Sequence, residues 1–229
     1  MSSNGDPYQG IYEVSDAARI IRATSTFLET PYLINNRHVL RWIRKGLSLP
    51  ALKNVPGREM VVSFGDLISM RVITLLRING VSWQKIYETE RWVREYAGAP
   101  RPFATEQFWT AFHEVFADYE GQLLAASLGG QYPFLELVAD RLIPIAGLTF
   151  DDLGIADSWT PLPVEDILMK PSIQFGAPCI RGTRITTQTA WEMHQGGDSV
   201  DFIARVYKLE PEQVESAIEW ENRLAARAA

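Results

Sequence analysis

The chain has 229 residues, 46% of them hydrophobic, which is enough to bury one large core or two small ones. Its single cysteine, Cys179, rules out an internal disulfide framework, and His38, His113 and His194 are too widely spaced for a local metal motif. The net charge of −6 is unevenly laid out: residues 1–100 carry 13 Lys/Arg against 9 Asp/Glu, residues 101–168 carry 2 against 11, and residues 169–229 carry 7 against 8.

A basic first segment beside an acidic second one has the layout of a DNA-binding module joined to a partner-binding or dimerising one. The polar start, Met1 to Asp6, lacks the charged and apolar blocks of a secretory signal. No apolar run approaches the roughly 18 residues of a membrane span. The expectation is a cytoplasmic chain without membrane association.

Val14, Ala17, Ala18 and Ile21 fall on one face at helical spacing, and Ser15 is available as an N-cap. Residues Ala23 to Asn35 read as a connection. A second helix is predicted from Arg37 to Lys45, with Asn36 as N-cap and Gly46 after its last turn. Between Leu47 and Phe64 the short apolar runs around Pro50, Pro56 and Gly57, with Val61 and Val62, suit a small hairpin or wing. Ser63 and Asp66 open an apolar helix to Ile78, and Ser82 opens another to about Ala97. Pro100 and Pro102 mark a module edge, so the first domain is placed at residues 1–98.

Phe103 to Leu124 has helical spacing with an aromatic stripe of Phe108, Phe112 and Phe116, whereas Phe134 to Pro144 fits a helix or a buried strand equally well. Asp151 to Asp166 reads as a linker or lightly structured crossover, which closes a middle segment at 99–168. From 169 to 229 the turn signals predict two short strands around a tight turn within Ile173–Ile185, then three helices. Thr187 caps the first, Asp198 and Asp201 pair at the start of the second, and Pro211 occupies the first position of the third. The fold class expected is mainly α.

Winding Arg37 to Lys45 at about 100° per residue gathers Arg37, His38, Arg41, Arg44 and Lys45 into one arc, with Val39, Leu40, Trp42 and Ile43 opposite. A helix that docks by its apolar side and offers guanidinium groups on the other suits the major groove, where phosphates accept charge and Arg pairs with guanine O6 and N7. Lys53 and Arg58 are candidates for further phosphate contacts. Together these seven residues are the expected DNA-binding set. The final two helices also have helix-turn-helix spacing, but Glu210, Glu212, Glu215, Glu219 and Glu221 would meet phosphates with repulsion, so that unit is expected to pack against protein. Cys179, between Pro178 and Ile180, reads as a buried inert thiol. Trp83, Tyr87, Trp92 and Tyr96 read as core or dimer packing, with an effector pocket as the alternative.

Two stretches carry family resemblances. Tyr12-Glu13-Val14-Ser15-Asp16-Ala17-Ala18-Arg19-Ile20-Ile21, with Val39-Leu40-Arg41-Trp42-Ile43-Arg44-Lys45-Gly46-Leu47, resembles the MerR-type winged helix-turn-helix. Ser63-Phe64-Gly65-Asp66-Leu67 and Gly80-Val81-Ser82-Trp83 look like that family's third and fourth helix starts. The string Phe175-Gly176-Ala177-Pro178-Cys179-Ile180-Arg181-Gly182-Thr183-Arg184-Ile185, continuing through Gly196-Gly197-Asp198 and Tyr207-Lys208-Leu209, resembles a small VapB-type antitoxin-like family long catalogued as a domain of unknown function. The combination is similar to two-domain VapB-type antitoxins: a MerR-like head, a helical middle segment, and a C-terminal β-hairpin with three helices.

That resemblance implies a non-enzymatic antitoxin without cofactor that neutralises a PIN-like ribonuclease toxin, binds operator DNA and represses its own operon. Arg181 and Arg184 are then candidates for reaching the toxin's anionic pocket. A stand-alone, ligand-responsive MerR-like repressor is the alternative, and an antitoxin that never touches DNA is a third. A repressor of this kind is expected to bind as a homodimer on an inverted repeat, because one helix reads few base pairs.

Overall fold

The computed structural model describes residues 10–24, 35–45, 61–78, 81–98, 101–106, 108–109, 147–161 and 164–225, with the backbone alone at residues 85, 89, 92, 93, 96 and 97. Within them the chain is mainly helical, with three two-stranded antiparallel sheets.

Strand β1 (Tyr12–Glu13) pairs with β2 (Val61–Val62), Tyr12 opposite Val62 and Glu13 opposite Val61. The two valines are therefore partnered by the segment ahead of the first helix; the remainder of the expected wing, including Lys53 and Arg58, lies outside the described residues. Helix α1 (Val14–Ala23) follows β1 without a break. Its N-cap is Glu13, with no side-chain bond, where Ser15 was expected. The pairing of Glu13 with Val61 holds that residue extended, so the helix begins as soon as the ladder ends. Val14, Ala17, Ala18 and Ile21 are all buried, as their spacing predicts.

Helix α2 (Asn36–Arg44) lies against α1, and α3 (Phe64–Ile78) forms the centre of this half. The start of α3 is set locally: Asp66 Oδ2 accepts from the Ser63 amide at 2.9 Å, and Ser63 Oγ accepts from the Asp66 amide at 3.2 Å. Those reciprocal bonds satisfy donors a helix start would otherwise leave unpaired. Asp66 is fully buried, and the Nε of Arg101 donates to its Oδ1 at 2.7 Å. Removing one partner of a buried ion pair typically costs about 3–5 kcal/mol. Arg101 precedes a 3-10 turn at Pro102–Ala104, so residues just beyond the expected edge at 98 are fastened to α3. Helix α4 (Trp83–Ala97) packs on α3 and on this turn.

Strands β3 (Leu148–Phe150) and β4 (Ala156–Trp159) form a hairpin whose turn and second strand fall within Asp151–Asp166, the stretch expected to be a linker or lightly structured crossover. Asp151 makes the turn: its Oδ1 accepts from the amides of Leu153 and Ile155 at 3.0 and 2.9 Å, while Gly154 takes a φ of +70° that its missing side chain permits. The stripe residues Phe112 and Phe116, and the segment Phe134–Pro144, lie outside the described residues; Phe108 is buried and meets Phe103 edge-on at 5.1 Å.

In the C-terminal unit β5 (Ile167–Leu168) pairs with β6 (Cys179–Ile180). Only one named strand thus falls inside Ile173–Ile185, where two were expected. The predicted tight turn is present at Gly182, closed by the Ile180 amide on the Ile185 carbonyl at 2.9 Å, but residues 174–176 form a left-handed turn instead of a strand. Helices α5 (Thr187–Gln195), α6 (Val200–Tyr207) and α7 (Pro211–Ala225) complete the unit. Their caps shift slightly from expectation: Thr186 accepts from the Thr189 amide, and Ser199 from that of Phe202. A hydroxyl just outside each helix has the extended backbone that capping needs. Pro211 opens α7 as expected, and Val214, Ala217, Trp220 and Leu224 form its buried face.

The two halves meet directly. Helix α1 packs on α7, the Ile11 amide donates to the Phe175 carbonyl at 3.0 Å, and the buried Tyr12 hydroxyl donates to the Gly176 carbonyl at 2.7 Å. A Cβ on Gly176 would collide with that hydroxyl, so glycine is needed there for space as well as for its φ of +88°.

Candidate nucleic-acid interface

Helix α2 is fixed at both ends and along one side. Asn35, one residue ahead of the expected Asn36, is the N-cap: its Oδ1 accepts from the His38 amide at 3.2 Å and its own amide donates to His38 Nδ1 at 3.3 Å, a reciprocal cap. This bond requires a neutral imidazole, and burial, with the neighbouring Arg41 charge second, holds His38 below the ordinary histidine value. Val39 and Trp42 are fully buried and Ile43 nearly so, while Leu40 packs partly against the same core. Burying a side chain of this size stabilises by about 1.5–3 kcal/mol, which sets the rotation of the helix about its axis.

That rotation leaves Arg37, Arg41, Arg44 and Lys45 exposed. Among the described residues none of these four forms an ion pair with a carboxylate, and α2 contains no acidic residue. Arg41 and Arg44 lie in the last turn, where positive charge also complements the carbonyl end of the helix dipole. His38 is half-buried at the rim of the cationic face, its ring 6.5 Å from that of Trp42.

One feature was not legible beforehand. Lys45 Nζ lies 5.9 Å from the ring centroids of both Trp83 and Tyr87, and the Arg77 guanidinium lies 4.8 Å over Trp83 from its other neighbour, α3. Trp83 in turn meets Trp42 at 6.2 Å. The first turn of α4 therefore supplies an aromatic rest for the last cation of α2, a contact worth about 0.5–1 kcal/mol at an exposed site. The pairing spans 38 positions of sequence with no local signal. The side chains of Trp92 and Tyr96 lie outside the described residues.

Structure therefore brings Arg37, His38, Arg41, Arg44 and Lys45 together on one helix. Arg181 and Arg184 sit in the other half, on the turn after β6. Arg181 Nε donates to the Glu165 carbonyl at 2.9 Å and its Nη2 to Thr160 Oγ1 at 2.8 Å, so its guanidinium is held in place by uncharged acceptors. Arg184 is exposed, and among the described residues the hydrogen bond it makes is at its carbonyl, which accepts from Gln174 Nε2 at 3.0 Å. Cys179 is buried behind this turn, and burial pushes its thiol up to about 11, which leaves it protonated at neutral pH.

Residues 163–220 match the model of a family described as protein of unknown function, DUF433; this spans the C-terminal unit from ahead of β5 into α7. No curated protein matches the chain. The fold is similar to the crystal structure of Rv2018 from Mycobacterium tuberculosis, with a TM-score of 0.67 and 20% identity over 90% of this chain and 96% of that one.

Proposed function

We propose that this chain is a DNA-binding antitoxin: α2 enters the major groove of the operator of its own operon, and the C-terminal unit holds a PIN-like ribonuclease toxin. The carrying observation is the outward face of α2, where Arg37, Arg41 and Arg44 are exposed and have no carboxylate partner among the described residues. An internally neutralised helix could offer phosphates little, whereas fixed, solvated guanidinium groups release counterions from DNA and pair with guanine. The packing of α1 on both α2 and α3 supports the same use. Lys45, resting on Trp83 and Tyr87, contacts the DNA backbone at the end of this helix in the proposed mode. Two copies on an inverted repeat give the specificity that one helix lacks.

The toxin half rests on the C-terminal family likeness and on the acidic face of α7, which disfavours a second groove-binding helix. The test is a gel-shift assay on the DNA immediately upstream of the gene, with the full chain and with Arg41→Glu, alongside co-expression with the neighbouring reading frame and an RNase assay. The wild type shifts the DNA, the variant does not, and both restrain the ribonuclease. Equal shifts by both proteins would falsify the role of α2.

A further inference from the structure

Three consecutive residues, Gln174, Phe175 and Gly176, have φ of +47°, +55° and +88°. The left-handed region costs a non-glycine residue about 1–2 kcal/mol, and such strain persists only where surrounding contacts over-determine it. Here they do: Ile11 binds the Phe175 carbonyl, Tyr12 the Gly176 carbonyl, and the Gln174 side chain reaches the Arg184 carbonyl. The outcome is an aromatic side chain pushed out of the protein. Phe175 is 70% exposed, more than any other large hydrophobic residue described, and its bonded neighbour Ile11 is 37% exposed. Through the Gln174 side chain this turn is tied to the backbone of the exposed Arg184, which has no carboxylate partner among the described residues, and across the β6 turn lies Arg181, whose acceptors leave its charge uncancelled.

From this geometry we infer that Phe175, with Ile11 and Arg184 at its side, is the anchor that enters an apolar pocket rimmed by carboxylates on a protein partner. Rigid aromatics flanked by arginine dominate protein interfaces, because little entropy is lost in ordering them and the guanidinium pairs bidentately with carboxylates. Duplex DNA would use the arginine, but its bases are already stacked on one another and offer a phenyl group no open face unless they are first unstacked. The inference rests on the antitoxin proposal for the partner's identity, and it moves the partner-binding burden from Arg181, whose guanidinium is already engaged, to Phe175.

The experiment measures calorimetric affinity of the full chain for the co-expressed neighbouring product. Phe175→Asn keeps a residue that tolerates left-handed backbone while removing the ring; Arg184→Glu reverses the rim charge; Phe202→Ser removes the exposed aromatic of α6 as a control. The first two are expected to weaken the complex at least tenfold, with Tm held and operator binding within twofold, and the third to change neither. Wild-type affinity in both anchor variants overturns the inference while the antitoxin proposal stands. A wild-type chain that binds no neighbouring product overturns both. Loss of DNA binding in place of partner binding, or a change in oligomeric state of the chain alone, assigns the surface to nucleic acid or to a second copy and likewise overturns it.

Discussion

Helices α2 and α7 are anchored in the same way and offer opposite chemistry to solvent. Each buries one tryptophan completely, Trp42 and Trp220, and each lies in a unit with helix-turn-helix spacing. Yet α2 turns Arg37, Arg41 and Arg44 outward where α7 turns Glu212, Glu215 and Glu219. Within α7, Glu219 also accepts from Arg223 at 2.6 Å, so the single cation of this helix is engaged internally. On the proposed reading, the charge of the solvent face, and not the helix spacing, is what separates a groove-facing helix from a protein-facing one.

The largest effect should come from the shared anchor. Trp42→Ala and Trp220→Ala should each cost about 3–5 kcal/mol in denaturant unfolding, since both rings are fully enclosed. Equal losses would establish the common packing plan, and a loss at one site alone would break the comparison. Charge exchange comes next: Arg41→Glu together with Arg44→Glu should reduce operator affinity more than a hundredfold, as two attractive phosphate partners become repulsive. Glu212→Lys with Glu215→Lys on α7 should leave it within twofold.

The junction between the halves offers a smaller change. Gly176→Ala should cost about 1–3 kcal/mol, because its Cβ collides with the Tyr12 hydroxyl and its φ stays positive. The same protein should show weaker hydrogen-exchange protection at Ile11.

The smallest effects are pH-dependent and opposite in sign. Burial, then Arg41, lowers His38, so the unfolded chain binds its proton more readily. The stability from this group is fully present above 6.5 and is lost as pH falls from there through its lowered value. Burial raises Glu221, outweighing the Thr187 hydroxyl and the Arg19 charge. Its folded form binds the proton more tightly, so stability is gained as pH falls from the raised value toward 4.5. His38→Gln should flatten the first slope of a Tm profile and Glu221→Gln the second.

Elements with local causes could be read from sequence. The Ser63–Asp66 pair, the amphipathic run of α2 and Pro211 each state their structure within a few residues, and all three stand as expected. Elements that depend on distant partners could not. β1 and β2 are two residues each, and they find one another across the whole of α1 and α2. The β3–β4 hairpin was hidden by its own brevity: the Asp151-Asp152-Leu153-Gly154 turn resembles a linker unless the flanking Leu148–Phe150 and Ala156–Trp159 are set side by side. At the candidate interface the cations were visible through their spacing, whereas the Lys45 rest on Trp83 and Tyr87 and the engagement of Arg181 arise only in three dimensions.

If the outward charge on α2 meets phosphate, binding must depend steeply on salt. Binding of the full chain to DNA from upstream of its own gene, titrated across several salt concentrations, tests it most directly. The wild type should give a steep linear fall of log K with log salt, and Arg41→Ala with Arg44→Ala should make that slope shallower by about two. Identical slopes for the two proteins, or salt-independent binding by the wild type, would contradict the account.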